Sequence, residues 1–312
     1  MLLYRDNVDE LELTLDAALD VSTRRPERIG VALGGGSARG YAHIGALEVL
    51  ERHDLHPSVI AGTSFGAVIG TLYALGHSPE KMTTDATSQR RRDVLPHITD
   101  FGLHKAALFS GTRLESYFER LVEGRHFEDL QKQLIIVATD VDTGEQVLLD
   151  SGPLAPALRA SASIPGIFAP VELGGRRLVD GGLGSPVPVS TLEGLELDLA
   201  IGIGAGTTSD DSAAIQNAQR FLASALGKRL HKNLHDSTGT HPLYRLGRGL
   251  AYTANTYLPR EASDALQVHT NPPISWLHFH RAEQAIEAGA QALEAFIPNI
   301  LNALRPNLAF GD

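Results

Sequence analysis

The chain contains a five-residue stretch, Gly62–Gly66, that reads G-T-S-F-G between an apolar run at 59–61 and a helical pattern at 67–75. A serine that attacks a carbonyl must stand on a sharp turn, and flanking glycines leave room where the two backbones approach each other. A helix that begins after Ser64 would direct free N–H groups towards a developing oxyanion. The pattern is typical of a nucleophile elbow, although a passive serine in a glycine-rich turn has the same appearance.

A glycine-rich loop at 34–40 follows the short apolar run Ile29–Leu33 and precedes a helical pattern at 41–53. The order strand, glycine loop, helix is typical of a site that binds an anion through backbone N–H groups. A dinucleotide pyrophosphate would fit such a loop, but neither possible phase of G-x-G-x-x-G is complete, since Arg39 or Ser37 replaces a required glycine. No Walker A lysine follows the loop.

The glycine loop and the serine turn are close in sequence, with 25 residues from Arg39 to Ser64. One helix and one strand (58–61) account for that length, which predicts two parallel strands joined by a right-handed crossover. Both turns then lie at the carboxyl edge of one sheet, where ligands bind in α/β folds. The two motifs together predict a nucleophile beside an oxyanion cradle, as in a serine hydrolase or acyl transferase.

A base for Ser64 must come from another part of the chain, because the elbow contains no Asp, Glu or His. The run 177–179 leads into Asp180-Gly181-Gly182. Asp-Gly is a common turn, so a purely structural role explains Asp180 taken alone. An aspartate at the end of a strand, followed by two glycines that allow close backbone approach, is also suited to act directly as the base.

The order of the elements predicts an α/β protein. We expect an N-terminal arm at 1–27, a catalytic core at 28–204, and a C-terminal helical region at 205–312 that packs on the core as part of one globular unit. Residues 77–130 are expected to be helical and polar. Further elements are predicted at 134–140, 144–149, 197–203 and 265–269 (strands), and at 154–162, 209–257 and 283–301 (helices, the second with loops).

The composition excludes several classes of function. A formal net charge of −10 argues against a nucleic-acid partner and against electrostatic docking on an anionic membrane. The chain has no cysteine, which excludes disulfides, thiolate catalysis and cysteine-type zinc sites. No signal-peptide pattern and no run of about 18 apolar residues occurs, so no transmembrane segment is predicted. We expect a cytoplasmic protein, free or in peripheral contact with a membrane through exposed apolar residues.

Two clusters of charged or metal-binding side chains have ordinary explanations. Arg90–Arg92 is interpreted as a solvated helix face rather than a contact for an anion or lipid headgroup. His231 and His235 have the spacing of metal ligands on a helix, but no third ligand lies nearby in the sequence. No metal site is predicted.

Taken together, the segments Gly35–Gly40, Gly62–Gly66, Arg159–Pro165 and Asp180–Gly182 resemble the motifs of the patatin-like phospholipase family. Within this family, the chain resembles the small stand-alone bacterial members related to the esterase domain of neuropathy target esterase, over about residues 28–204. The resemblance implies a three-layer α/β/α fold with a central, mostly parallel sheet. It also implies hydrolysis of acyl esters of phospholipids, lysophospholipids or neutral lipids, without a cofactor.

The resemblance further implies a Ser–Asp dyad, with Ser64 as nucleophile and Asp180 as general base. The oxyanion hole would be formed by Gly35, Gly36 and Ser37, with Arg39 nearby. The family usually has glycine where this chain has Ser37, and an N–H donor is retained there if the backbone geometry suits a serine. The remaining site residues implied by the motifs are Gly62, Thr63, Phe65, Gly66, Gly181 and Gly182.

Three alternatives remain open from the sequence. A Ser-His-Asp α/β-hydrolase would use a late histidine, for which His278 and His280 are the candidates. A regulatory protein could keep the fold without the activity, and a nucleotide-binding module would use the glycine loop alone. His43, in the helix after that loop, is interpreted as a packed helix residue rather than as a base.

Overall fold

A computed structural model describes residues 26–88, 100–104, 107–165, 167–206, 265–275 and 278–304 of the chain. Most of the predicted N-terminal arm, the Arg90–Arg92 cluster, the helices predicted at 209–257, and both His231 and His235 lie outside these ranges.

The described residues contain one eight-stranded sheet and one two-stranded hairpin. In chain order the strands are β1 (Ile29–Leu33), β2 (Pro57–Thr63), β3 (Phe101–His104), β4 (Ala107–Phe109), β5 (Gln133–Asp140), β6 (Gln146–Leu149), β7 (Val171–Leu173), β8 (Arg176–Asp180), β9 (Leu199–Gly204) and β10 (Leu266–His269).

The sheet has the strand order β10-β9-β1-β2-β5-β8-β7, and β6 also pairs with β5. The strands from β10 to β5 run parallel, whereas β6, β7 and β8 join by antiparallel pairing. Nearly continuous apolar sequences such as that of β1 suit parallel strands, because both faces of such a sheet are covered. The predicted mixed α/β class with a central, mostly parallel sheet is confirmed.

Helices cover one face of this sheet. They are α1 (Ala42–Arg52), α2 (Phe65–Ala74), α3 (Pro79–Ser88), α4 (Thr112–Leu121), α5 (Leu154–Ser161) and α6 (Ala282–Ala303). Because side chains alternate along a strand, Leu33 and Ile60 face the large core shared with the helices, whereas Ala32 and Ala61 face the other side. Within the described ranges, that other side is covered by the segment that contains the 3₁₀ helix Val189–Leu192.

The crossover from β1 through α1 to β2 has the predicted parallel arrangement, with Leu33 opposite Gly62 at the ends of the two strands. The glycine loop and the serine turn therefore leave the sheet side by side at its carboxyl edge. The strands predicted after residue 130 and the helices predicted at 154–162 and 283–301 are also confirmed, within a few residues.

The prediction that residues 77–130 are helical is wrong in part. The structure has α3 and α4 there, but the antiparallel hairpin β3–β4 lies between them. The hairpin is attached to a distant segment: the N–H of Phe109 donates to the carbonyl of Ile167 at 2.9 Å, and the N–H of Ala169 donates to the carbonyl of Phe109 at 3.0 Å. Periodicity within a short segment carries no information about such non-local pairing.

In the described part of the chain, no helix combines the length and hydropathy needed to cross a membrane.

Two glycines allow α1 and α6 to cross in close contact. A Cβ atom at Gly45 would overlap the carbonyl oxygen of Ile286, and a Cβ atom at Gly289 would overlap the carbonyl oxygen of Ala42. The two helix backbones therefore touch where any other residue would force them apart. This contact attaches the last described helix to the helix that follows the glycine loop.

We predict that Gly45→Ala and Gly289→Ala each lower the free energy of unfolding by about 1–3 kcal/mol, because added volume has no space at the crossing. Alanine normally stabilises a helix relative to glycine, so the expected sign is opposite to the helix propensity. Denaturant unfolding measures the effect, with Gln291→Ala on the exposed face of α6 as control. Unchanged or increased stability would contradict the close crossing.

Candidate active site

Ser64 stands between the last residue of β2 and the first residue of α2, on the turn predicted as a nucleophile elbow. Both flanking glycines are required by the packing. A Cβ atom at Gly62 would lie 2.5 Å from the Cα of Ala67, and a Cβ atom at Gly66 would overlap the carbonyl oxygen of Leu33. The first turn of α2 thus packs backbone against backbone on β2 and on the end of β1.

The backbone of Ser64 has φ 52° and ψ −122°. A positive φ is uncommon for a residue with a Cβ atom, and such a conformation costs about 1–3 kcal/mol. Ser64 is only partly buried, whereas the last five residues of β2, which lead to it, are buried. The surrounding sheet therefore holds the serine in a strained geometry that presents it at the carboxyl edge.

The glycine loop runs directly beside the serine, since a Cβ atom at Gly35 would lie 3.5 Å from the Cβ of Ser64. The N–H of Gly34 donates to the carbonyl of Ile203, and the N–H of Gly35 donates to the carbonyl of Pro186, both at 2.9 Å.

The residues predicted to form the oxyanion hole differ in whether their backbone N–H group already has an acceptor. The N–H group of Gly35 already donates to the carbonyl of Pro186. This bond holds the loop in place next to Ser64. In the described part of the chain, the N–H groups of Gly36 and Ser37 have no acceptor. Among the predicted oxyanion-hole residues, Gly36 and Ser37 therefore have N–H groups available to an anion.

Ser37 adopts φ 52°, in the left-handed region that favours glycine. A non-glycine residue at such a φ carries a conformational cost of about 1–2 kcal/mol. The serine takes the conformation that glycine would adopt freely, so the N–H group is retained at this position. Ser37 in place of the family's glycine therefore adds a conformational cost to the loop but leaves the backbone N–H donor at this position.

Arg39 and His43 both lie under the loop. Arg39 belongs to the 3₁₀ helix Ser37–Tyr41 and is 3% exposed. His43 is fully buried in α1, and its Nε2 lies 2.7 Å from the carbonyl oxygen of Gly34. Burial lowers the pKa of His43 to about 4, so the ring is neutral and Nε2–H donates to that carbonyl. His43 supports the loop as a packed helix residue, as the sequence predicts.

Asp180 ends β8 and reaches the same edge through antiparallel pairing, where it lies opposite Ala138 of β5. Its Oδ1 accepts a hydrogen bond from the N–H of Gly182 at 2.8 Å. A Cβ atom at Gly181 would overlap the carbonyl oxygen of Val137, so the Asp-Gly-Gly turn packs tightly on β5. The Ser64 hydroxyl is near enough to this carboxyl group to lower its pKa as a hydrogen-bond donor.

The pKa of Asp180 is raised to about 6. The main cause is burial, which disfavours the charged carboxylate, while the hydrogen bonds from Ser64 and Gly182 partly oppose the shift. A carboxyl group with a pKa near the working pH is well suited to accept a proton and then return it.

Two further elbow residues connect the site to its surroundings. The hydroxyl of Thr63 donates to the carbonyl of Ser185 at 3.0 Å, which joins the elbow to the segment after Asp180. The ring of Phe65 packs against Tyr41 at 4.9 Å and against Phe279 at 5.9 Å between centroids. The two late histidines, His278 and His280, flank Phe279.

A third segment touches the site, and its contacts were not predicted from the sequence. The buried hydroxyl of Ser161 accepts from the N–H of Ser64 at 2.8 Å and donates to the carbonyl of Val137 at 2.6 Å. In the sequence, only the family resemblance marks the segment Arg159–Pro165. Its arginine, serine and proline at fixed offsets were the available signal, but spacing does not show which atoms they contact.

The described residues contain no cluster of three His, Asp or Glu side chains that could hold a metal ion.

The strain at Ser64 predicts that Ser64→Gly is more stable than Ser64→Ala by about 1 kcal/mol, because both lack the hydroxyl and only glycine adopts φ 52° freely. Thermal melting should separate the two by roughly 2–4 °C. At Ser58, inside β2, the order should be reversed, because glycine loses more conformational freedom in a strand. A glycine variant at residue 64 that melts no higher than the alanine variant would contradict the strain.

Comparison with known proteins places the chain in a family. An uncharacterized NTE family protein of Mycobacterium tuberculosis is 37% identical over 187 residues, which are 60% of this chain and 51% of that protein. The patatin-like phospholipase domain-containing protein 6 of Pongo abelii is 30% identical over 276 residues, which are 84% of this chain and 20% of that protein. The chain thus spans about half the length of the first relative and a fifth of the second.

Among solved structures, VipD from Legionella pneumophila is similar over 88% of this chain and 67% of its own, with 12% identity and a TM-score of 0.47. The sequence pattern of the patatin-like phospholipase family matches residues 31–192, just over half of the 312 residues. By this match, the chain belongs to the patatin-like phospholipase family.

Proposed function

We propose that this chain is a serine hydrolase of lipid acyl esters that uses Ser64 and Asp180 as a catalytic dyad. The observation that carries the proposal is the contact between a serine held at a strained elbow and a buried carboxylate whose pKa is raised to about 6. Membership of the patatin-like phospholipase family supports a lipid ester as the substrate class.

The reaction would begin when Asp180 accepts the proton of the Ser64 hydroxyl and the serine oxygen attacks the ester carbonyl carbon. The negative oxygen of the tetrahedral intermediate would then face the N–H groups of Gly36 and Ser37, which lack an acceptor in the described part of the chain. Loss of one such donor typically costs about 3 kcal/mol of transition-state stabilisation.

Collapse of that intermediate breaks the ester C–O bond, and the proton on Asp180 passes to the departing alcohol. An acyl group remains on Ser64. Asp180 then accepts a proton from water, the resulting hydroxide attacks the acyl carbonyl, and the fatty acid leaves as the serine regains its proton. The cycle consumes one water and returns both side chains to their initial state, without a cofactor.

The organisation of the chain is part of the same proposal. All the residues assigned here to the dyad and the oxyanion hole lie within 28–204, which we propose as the catalytic core. The contact of α6 with α1 through Gly45 and Gly289 supports a C-terminal region that packs on this core. We propose a cytoplasmic protein that meets its lipid substrate directly or by peripheral contact with a membrane.

Hydrolysis of p-nitrophenyl esters of graded chain length tests the dyad. We expect wild type to prefer longer chains, and we expect Ser64→Ala and Asp180→Asn to lose about 10³-fold or more in kcat, because each removes a group that acts on the reacting atoms. Circular dichroism checks the fold. Ser58→Ala and Asp150→Asn, which remove a hydroxyl and a carboxylate elsewhere, serve as matched controls that should retain activity.

Two outcomes would overturn the proposal. An active Asp180→Asn variant, together with an inactive His278→Ala/His280→Ala double variant, would favour a Ser-His-Asp mechanism. A folded wild type that hydrolyses none of the esters, and is not labelled by a fluorophosphonate probe, would favour a regulatory protein.

The raised pKa of Asp180 predicts the pH dependence of the reaction. The base must be ionised to accept the serine proton, so kcat/KM should fall about tenfold per unit below a pH of about 6 and reach a plateau above it. A pH series with the preferred ester measures this acid limb. Activity that stays constant down to pH 4.5 would mean that the base has the pKa of an ordinary exposed carboxyl group.

A further inference from the structure

We propose that Ser161 is a positioning residue, whose buried hydroxyl holds the backbone of Ser64 in the geometry that reaches Asp180. This inference rests on the proposed function and names a residue that acts through the nucleophile rather than on the substrate.

The hydroxyl of Ser161 links two backbone groups that lie at neighbouring strand ends. It accepts from the N–H of Ser64 at 2.8 Å and donates to the carbonyl of Val137 at 2.6 Å. Ser161 is fully buried. A hydroxyl has one proton to donate, and that of Ser161 is donated to the carbonyl of Val137. Its oxygen can therefore act only as an acceptor towards the N–H of Ser64.

This contact occurs where the backbone is strained. Ser64 has φ 52° and ψ −122°, a conformation that persists only when surrounding contacts hold it. Its N–H group cannot take part in α2, because the N–H groups that begin a helix have no partner inside it. The Ser161 hydroxyl supplies the acceptor, and this hydrogen bond stabilises Ser64 in its strained conformation.

The same segment also holds the second member of the dyad. The N–H of Asp180 donates to the carbonyl of Ser163 at 3.0 Å. The hydroxyl of Ser163 donates to the carbonyl of Arg159 at 2.6 Å. One short segment therefore contacts the main chain of both residues: Ser161 contacts Ser64, and Ser163 contacts Asp180.

Arg159 anchors this segment to neighbouring parts of the chain through several hydrogen bonds. Its buried guanidinium donates to the carbonyls of Gly111, Ser110 and Ala169 at 2.8–2.9 Å, and to the hydroxyl of Ser163. Burial lowers the pKa of Arg159 to about 10, which leaves the guanidinium charged at neutral pH. These bonds tie the end of α5 to the β4 loop and to the chain before β7.

Removal of the Ser161 hydroxyl should misplace the nucleophile rather than weaken substrate binding. We expect Ser161→Ala to lower kcat about 10- to 100-fold with little change in KM, because small displacements of reacting groups have effects of this size. The hydrogen bond from Ser64 lowers the pKa of Asp180. Its loss should move the acid limb of kcat/KM to higher pH, which a general loss of stability would not do.

The experiment compares wild type, Ser161→Ala, Ser161→Thr and Thr71→Val. Thr71 is fully buried and its hydroxyl donates to the carbonyl of Ala67 at 2.8 Å, so Thr71→Val removes a buried hydroxyl of α2 away from the dyad. Ser161→Thr retains a hydroxyl and should restore part of the activity. Kinetics over pH 4.5–8 are measured beside amide hydrogen exchange of Ser64, which should become at least tenfold faster in Ser161→Ala alone.

The two readouts separate failure of this inference from failure of the proposed function. If wild type is active and Ser161→Ala stays within twofold of it, with an unshifted acid limb, the inference is wrong and the dyad stands. If wild type is inert and unlabelled by a fluorophosphonate, the proposed function fails, and hydrogen exchange still decides the positioning. Exchange of the Ser64 amide at the wild-type rate in Ser161→Ala would then overturn it.

Discussion

The first turn of α2 packs against the carboxyl end of β1, and the geometry of the candidate site depends on this backbone contact. A side chain at Gly66 would overlap the carbonyl oxygen of Leu33, so the helix reaches this position only because glycine has no Cβ atom. The contact places Ser64 beside the glycine loop. The strand β2 before Ser64 and the helix α2 after it hold the serine in a backbone conformation that costs about 1–3 kcal/mol.

Burial disfavours the charged form of each ionisable group described at the site. It keeps His43 neutral, so the ring donates to the carbonyl of Gly34 and supports the loop. It raises the pKa of Asp180, while hydrogen bonds from Ser64 and Gly182 limit the rise. Burial lowers the pKa of Arg159 to about 10, so the guanidinium keeps its charge at neutral pH and donates to the carbonyl groups around it. The same low-dielectric environment thus leaves His43 neutral, raises the pKa of Asp180 to about 6 and leaves Arg159 charged.

Elements with a continuous apolar pattern were predictable, because hydrophobic periodicity is a local property. The crossover from β1 to β2 and the last helix belong to this group. The hairpin β3–β4 was missed because it depends on pairing of Phe109 with the segment around Phe168, far away in sequence. Among the predicted oxyanion donors, Gly35 proved to be engaged with Pro186, which no spacing rule could indicate.

The sequence by itself determined where the sharp turns of the site occur. The glycines around Ser64 and after Asp180 reflect steric limits that act within a few residues of the backbone, so their pattern can be recognised without a structure. Tertiary structure decided which N–H groups of the glycine loop remain available to an anion, that Asp180 is buried and interacts with Ser64, and that the Ser161 hydroxyl accepts from the N–H of Ser64. These features depend on antiparallel pairing of β8 with β5 and on helix packing, which bring together segments that lie far apart in the sequence.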